Sequence, residues 1–208
     1  KARCKAELQR ELSLPIRPKT PLLVTISRLT EQKGIDLLID WLDGELQGRS
    51  EFQFALLGQG EPALEQRLRM LAERYPTRVA VRLRFDESLA HRFEAGADFF
   101  LMPSRFEPCG LNQIYSMRYG TIPIVRAVGG LFDTVVDFDA RSRSGTGFTF
   151  GPFTTGALAN AIRRALSAYH SDEPSMLALQ KRAMRADFGW AASARAYLNV
   201  YRQAQSGK

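Results

Sequence analysis

Residues 98–119 of the chain read DFFLMPSRFEPCGLNQIYSMRY, and this stretch decides the fold. Its opening apolar run predicts a buried strand, and its last seven residues predict a helix. The loop between them, residues 103–112, contains Glu107 and Cys109. A strand that leads through a loop into a helix places free backbone N–H groups at the strand's carboxyl end, where negative charge is stabilised. We therefore expect this loop to hold a ligand.

The same alternation of strand and helix continues on both sides of this stretch. Short apolar runs predict strands, and amphipathic stretches between them predict helices. The predicted strands are residues 22–26, 52–57, 79–83, 98–102, 122–125 and 147–150. The predicted helices are residues 35–42, 63–74, 89–95 and 113–119, one that starts near 131, and helical periodicity from 155 almost to the end.

Crossovers that contain a helix are too long for hairpins, so this pattern predicts an α/β fold with a parallel sheet covered by helices on both faces. We expect one domain over residues 21–208 with a helical tail, preceded by a hinge or lead-in segment over residues 1–20. Ligands bind at the carboxyl ends of the strands in such sheets. The loops that should share one cleft are residues 27–33, 57–61, 84–88, 104–112 and 126–131.

Composition and charge limit the classes of function. The chain has 208 residues and 45% hydrophobic content, which is enough to bury a sizeable core. Its 29 Lys and Arg against 22 Asp and Glu give a net charge of +7, which suits an anionic partner. The basic residues are scattered along the chain without a run of five or more, so nucleic acid is disfavoured as that partner.

The cysteines and the start of the chain indicate its setting. Cys4 and Cys109 lie far apart in dissimilar contexts, which favours a reducing, cytosolic compartment over a disulfide scaffold. No apolar stretch approaches the ~18 residues that span a bilayer, and residues 1–5 lack the apolar segment of a secretory signal. The chain does not begin with Met. We therefore expect it to be a piece of a longer protein with a further domain upstream.

The loop after the first predicted strand carries two cations. Residues 27–34 read SRLTEQKG, so Arg28 and Lys33 lie between the end of a strand and the start of a helix. Arg supplies a planar fork and Lys a compact charge, and together they can neutralise a departing diphosphate. The alternative is a pair of surface cations near a helix.

Glu107 is the strongest candidate for a catalytic carboxylate. A lone Glu in a loop is usually solvated, but this one directly precedes a helix start that presents the N–H groups of Gly110 and Leu111. Gly110 allows a ligand phosphate or sugar to approach the backbone closely. Gly129 and Gly130 repeat this arrangement one strand later.

Other candidates carry weaker signals. Cys109 lies beside a helix start, but neither His91 nor His170 is in a neighbouring motif to serve as its base. Residues 58–60 lack the third glycine of a dinucleotide fingerprint and predict a tight turn or a backbone approach to a nucleotide. Phe85 is either a core residue or a platform on which a base stacks. Two histidines and no clustered Asp or Cys predict no metal site.

Three segments of the chain resemble the bacterial glycogen synthase and plant starch synthase family. They are residues 27–34, residues 103–113, and residues 119–123 followed by 129–135, and the similarity extends from Leu22 to Tyr201. The resemblance implies a Rossmann-like domain, the carboxyl-terminal half of a two-domain GT-B glycosyltransferase whose active site lies between the halves. It also implies glucose transfer from ADP-glucose to the non-reducing end of an α-1,4-glucan, with retention and without a metal or cofactor.

The resemblance also implies roles for individual residues. By position, Arg28 and Lys33 resemble the pair that holds the diphosphate and stabilises the leaving ADP, and Glu107 resembles the carboxylate next to the donor glucose. The other implied nucleotide and sugar contacts are Phe85, Cys109, Gly110, Leu111 and Asn112. Phe85 replaces the Tyr that the family commonly has against adenine, and Asn112 replaces a frequent Thr. Tyr115 occupies the second carboxylate position of the broader E-x7-E pattern, as is usual in this family.

The resemblance leaves the acceptor side outside the chain. The family's amino-terminal Lys-Thr-Gly-Gly-Leu motif and glucose-side His have no counterpart here, so we expect the glucan to contact mainly the missing domain and the isolated chain to be inactive. The expected location is the cytoplasm in a bacterium or the plastid in a plant, with no membrane partner. Two alternatives stay open: a UDP-sugar donor, and a non-catalytic module that binds a polyanion or a glucan.

Overall fold

The computed structural model describes residues 1–48, 51–171 and 173–207. Lys208, the predicted end of the domain, lies outside the described residues. The strands are β1 Leu22–Ile26, β2 Gln53–Leu57, β3 Val79–Arg82, β4 Phe99–Met102, β5 Ile122–Arg126 and β6 Phe148–Phe150. The helices are α1 Ala2–Glu11, α2 Ile35–Leu46, α3 Pro62–Arg74, α4 Glu87–Gly96, α5 Asn112–Arg118, α6 Gly130–Thr134, α7 Thr155–Ser171, α8 Glu173–Arg185 and α9 Trp190–Gln205, with a 3-10 turn at Glu31–Lys33.

The six strands form one parallel sheet in the order β3-β2-β1-β4-β5-β6. The chain builds outward from β1 to β3, then returns to place β4 on the other side of β1. The connections that leave β1 and β4 therefore diverge to opposite sides, and a crevice opens between the carboxyl ends of these two strands. The prediction of a parallel α/β domain is confirmed.

The strands are buried because helices cover both faces of the sheet. Residues 22–24 and 99–101 have no solvent exposure, as the continuous apolar runs predict for a parallel sheet. From the helices, Leu38 of α2 and Leu158 and Ile162 of α7 are also fully or almost fully buried in this core.

The predicted helical tail consists, within the described residues, of the three helices α7, α8 and α9. The chain turns between α8 and α9, where the Asp187 carboxylate accepts the N–H of Gly189 at 2.9 Å, a local bond that competes with helix continuation. The sequence pattern groups Trp190 and Tyr197 on one face of α9. The structure buries no residue of α9, and Trp190 is 89% exposed. Among the described residues, no helix is long and apolar enough to cross a membrane.

The lead-in segment packs on the domain through α1. Leu8 and Leu12 are almost fully buried, and α1 lies against α4. Lys5 forms a buried ion pair with Asp98 at 2.6 Å, and the same carboxylate accepts the N–H of Leu22 at 2.8 Å. Asp98 therefore joins α1 to the amino end of the sheet.

A second buried carboxylate lies near this ion pair. Glu94, in the last turn of α4, is 4% exposed, and among the described residues its Oε2 has no hydrogen-bond partner. Burial raises the pKa of Glu94 to about 8, and the positive charge of Lys1 opposes this shift only in part. This carboxyl lies at the amino ends of the strands, opposite the β1–β4 crevice, because α4 leads into the start of β4.

Candidate functional site

The loop after β1 lies directly against the loop after β4. Gly34 has a φ of +69°, in the left-handed region that favours glycine. A Cβ atom at this position would be 2.0 Å from the carbonyl oxygen of Pro103. Glycine is therefore required both by the backbone conformation and by the space between the two loops.

The glycine pair after β5 supports the β4 loop from the other side. The N–H of Gly130 donates to the carbonyl oxygen of Glu107 at 3.0 Å. A Cβ at Gly129 would be 2.2 Å from that oxygen, and a Cβ at Gly130 would be 2.2 Å from the carbonyl oxygen of Cys109. These glycines contact the loop backbone, so their observed role is to hold the loop that carries Glu107.

A cavity of about 310 Å³, which we name the β1–β4 cleft, opens between the carboxyl ends of these two strands. Of the predicted site residues, those that line it are Arg28, Lys33, Glu107, Gly110, Leu111 and Asn112. The loops after β2, β3 and β5 do not line this cavity, although the sequence predicts that all five loops share one cleft. The loop after β2 does not line the cavity because its Gly58 and Gly60 lie against the backbone carbonyls of the β1 loop.

An ion pair joins the two walls of the cleft. Lys33 Nζ lies 2.6 Å from Glu107 Oε2, and the Oγ of Ser104 lies 3.3 Å from the same oxygen. Glu107 is 7% exposed and Ser104 is fully buried. A buried carboxylate is costly unless it is paired, so the ion pair with Lys33 offsets the cost of burying Glu107 at this position.

Arg28 is the second cation of the cleft and differs from Lys33 in its environment. Its side chain is exposed and has no hydrogen-bond or ion-pair partner among residues 1–48, 51–171 and 173–207. The guanidinium can therefore bind an anion without first breaking a contact within the chain.

The turn before α5 presents backbone donors to the cleft. Gly110 has a φ of +75°, and within the described part of the chain the N–H groups of Gly110 and Leu111 have no acceptor. Asn112 uses its Nδ2 to donate to the carbonyl oxygen of Ile26 at 2.7 Å. This bond connects the start of α5 to the end of β1, so Asn112 closes the floor of the cleft.

Cys109 and Phe85 lie outside the cavity. The thiol of Cys109 is exposed, and within the described residues its hydrogen bond is to the carbonyl oxygen of Gly110, at 3.4 Å. The Nδ1 of His91 lies 3.0 Å from the hydroxyl of Tyr119, so His91 is not positioned as a base for the thiol. Phe85 is 83% exposed after β3, which excludes the core alternative and leaves its ring free for stacking.

Two polar residues of this region carry no clear signal in the sequence. Ser104 and Gln113 are both fully buried next to the β4 loop. Gln113 donates to the carbonyl oxygens of Cys109 and Gly110. Gln113 gives a weak signal because it donates to backbone atoms that any sequence has, and Ser104 because its bond to Glu107 depends on the conformation of the loop. No group of three or more His, Cys, Asp or Glu that could hold a metal occurs in the described ranges.

Known proteins share this sequence and arrangement. The chain is 58% identical over 202 residues to glycogen synthase of Anaeromyxobacter sp. (strain Fw109-5), covering 97% of the chain and 42% of that protein. It is 49% identical to glycogen synthase of Thioalkalivibrio sulfidiphilus (strain HL-EbGR7), again covering 42% of the relative. The chain thus spans less than half the length of these curated relatives. The resemblance to glycogen and starch synthases is confirmed.

The solved structures give the same result. The catalytic domain of starch synthase IV from Arabidopsis thaliana, bound to ADP and acarbose, superposes with a TM-score of 0.87 at 34% identity, covering 99% of the chain and 43% of that structure. The sequence model of the family described as "Glycosyl transferases group 1" matches residues 9–184. By this match and the shared fold, the chain belongs to the glycosyl transferases group 1 family.

Proposed function

We propose that the chain is the donor-nucleotide domain of a glycogen or starch synthase, which transfers glucose from ADP-glucose to the non-reducing end of an α-1,4-glucan with retention. The observation that carries this proposal is the arrangement of Arg28, Lys33 and Glu107 around one cleft. Two cations suit a diphosphate, and a carboxylate beside them suits the hydroxyl groups of a sugar. The similarity to glycogen synthases supports this assignment.

In the proposed reaction the chain's residues stabilise the leaving group. The bond between C1 of glucose and the diphosphate oxygen breaks, and its electron pair stays on ADP. Arg28 and Lys33 neutralise the charge that develops there, and the N–H groups of Gly110 and Leu111 donate to the sugar and phosphate. The acceptor hydroxyl attacks C1 from the same face and gives its proton to the diphosphate.

The nucleotide base would lie toward β3. The exposed ring of Phe85 follows this strand, two strands away from β1, and is suited to stack on adenine. Uracil also has a face that stacks, so UDP-glucose is the second candidate donor. We further propose that the reaction needs no metal or cofactor, because the two cations supply the positive charge. The proposed location is the bacterial cytoplasm.

Calorimetry on the chain tests this function. We expect ADP and ADP-glucose to bind, and Arg28→Ala and Lys33→Ala each to lower the affinity for ADP about tenfold or more, because each removes a charge-assisted contact to phosphate. Arg163→Ala, an equal charge change on the exposed face of α7, should leave the affinity unchanged. We also expect the isolated chain to release no ADP from ADP-glucose when glycogen is added.

The alternatives predict other results. Binding of UDP-glucose in preference to ADP-glucose would identify a UDP-sugar enzyme. Indifference of the folded chain to both donors, together with salt-dependent binding to unrelated polyanions, would reject the proposal in favour of a non-catalytic module.

A further inference from the structure

Gln113 is a fully buried glutamine in the first turn of α5, and its side chain folds back over the turn that precedes its own helix. Nε2 donates to the carbonyl oxygen of Cys109 at 3.1 Å and to that of Gly110 at 3.0 Å. It also contacts Thr134 Oγ1 at 3.1 Å. Oε1 is buried and has no hydrogen-bond partner among the described residues, so it is the contacts of Nε2 that fix the orientation of the side chain and of the turn.

The two carbonyl groups that Gln113 holds belong to the two peptide units that carry the N–H groups of Gly110 and Leu111. A peptide unit is planar and trans, so the carbonyl of one residue and the N–H of the next point in opposite directions. With the Cys109 carbonyl held toward the buried amide, the N–H of Gly110 is turned away from it. Likewise, because the Gly110 carbonyl is held toward the Gln113 amide, the N–H of Leu111 is turned away from that amide. Both residues line the β1–β4 cleft.

Helix α6 completes the support of this turn. Thr134, which contacts Gln113, donates to the carbonyl oxygen of Gly130 at 2.6 Å. Gly130 in turn lies so close to Cys109 that a Cβ would be 2.4 Å from the Cys109 Cα. The turn is therefore held between a glycine on α6 and the side chain of Gln113.

We propose that Gln113 is a positioning residue, which aims the N–H groups of Gly110 and Leu111 at the diphosphate and sugar of the donor. This inference rests on the proposed function. Loss of the Nε2 donor would release both carbonyls, and the turn would no longer hold its two N–H groups toward the cleft. Contacts to the distal phosphate and glucose would weaken, whereas the nucleoside end near Phe85 would be unaffected.

Gln113→Met tests the proposal, because methionine keeps the length and volume of the side chain and removes the donor. The matched control is Gln53→Met. Gln53 is also fully buried, and it donates to the backbone carbonyl of Pro15 at 2.9 Å. It lies at the amino ends of the strands, away from the β1–β4 cleft. We expect Gln113→Met to lower the affinity for ADP-glucose about tenfold or more and the affinity for AMP by less than about twofold. Gln53→Met should lower the melting temperature and leave both affinities unchanged.

Two results would overturn the positioning role. They are a folded Gln113→Met chain that binds ADP-glucose like the wild type, and a loss of AMP affinity by the same factor as that of ADP-glucose. If this variant does not fold, Gln113→Leu replaces it, since the smaller leucine also lacks the donor, and an unchanged affinity for ADP-glucose in that folded variant rejects the role. A wild-type chain that binds neither ADP-glucose nor UDP-glucose instead rejects the proposed function, and with it this inference.

Discussion

At the residue scale, the ion pair between Lys33 and Glu107 means that the cleft already contains a partner for one of its two cations. The two side chains are 18% and 8% exposed, so water screens their attraction only weakly. A diphosphate that enters the cleft must share Lys33 with the carboxylate. Arg28, which has no such competitor in the described residues, is then the cation that is available first.

Glu107→Gln should therefore raise the affinity of the chain for ADP. The amide releases Lys33 and removes a negative charge that repels phosphate, and we expect about a threefold increase, close to 0.7 kcal/mol. ADP-glucose should gain less, because the carboxylate that we propose to lie next to the sugar is lost. Calorimetry measures both affinities, with Glu73→Gln on the exposed face of α3 as the control. An unchanged or weaker affinity for ADP would show that the ion pair does not compete with the nucleotide.

Glu94 should make the stability of the domain depend on pH. In the folded chain its pKa is raised to about 8 from an ordinary value of 4.5, so between these values the folded state binds a proton that the unfolded state has released. Stability therefore falls as pH rises from about 4.5 to 8. Glu94→Gln removes this titration and should stabilise the chain by about 4 kcal/mol at pH 8, with little effect at pH 4.5.

Urea unfolding at several pH values measures this effect. Glu87→Gln, at the exposed start of the same helix, is the control and should keep the pH dependence of the wild type. Parallel pH profiles for Glu94→Gln and the wild type would mean that Glu94 is ionised in the folded protein.

The sequence predicts the charged residues of the cleft better than the residues that hold them. Arg28, Lys33 and Glu107 follow strands, and the carboxyl ends of parallel strands meet at one edge of a sheet, so their proximity follows from the strand pattern. The role of Gln113 depends on backbone carbonyl groups, and that of Ser104 depends on a loop conformation that brings its Oγ to Glu107. The residue types of Gln113 and Ser104 do not indicate these roles, so the sequence pattern does not predict them.

At the element scale, α1 shows how a helix outside the repeating strand-helix pattern becomes part of the domain. Beyond its buried leucines, the helix inserts Lys5 between the amino end of β4 and the Tyr169 hydroxyl of α7, which lies 3.1 Å from the lysine Nζ. Lys5 also donates to the carbonyl oxygen of Thr20 at 2.6 Å. All of these contacts are made by the ammonium group of Lys5, which is buried from solvent.

Lys5→Met should destabilise the chain by about 3 kcal/mol, because it leaves the Asp98 carboxylate buried without its cation. The measurement is urea unfolding at pH 7. Arg10→Ala removes an ion pair with Glu7 in which both side chains are about 60% exposed, and it should cost no more than about 0.5 kcal/mol. A similar loss in the two variants would indicate that α1 is not anchored by the buried pair.

The limits of prediction at this scale are set by packing. The periodicity of residues 155–205 is helical throughout, and it does not show where the chain must turn so that α8 can lie against α5. The same periodicity assigns Trp190 and Tyr197 of α9 to an apolar face. Whether such a face is covered depends on neighbours that a local pattern does not contain.

At the scale of the whole molecule, the strand order determines where the cleft lies. Alternation of strands and helices predicts a parallel sheet but permits more than one order. The order found, with β1 and β4 adjacent at the centre, places the loops after these two strands side by side. The resemblance to glycogen and starch synthases already implied this fold, and the register of β1 with β4 now shows how the two motifs meet.

The position of the cleft at the junction of the two halves of the sheet has a consequence for folding. Lys33 and Glu107 are 74 positions apart in the chain, and each belongs to a different half of the sheet. Contacts over such a separation are slow to form, because the entropy of closing a long loop opposes them. The cleft is therefore absent from any intermediate in which only β1 to β3 have assembled. A nucleotide that binds there would recognise the completed fold alone, and would slow unfolding rather than guide the early steps of folding.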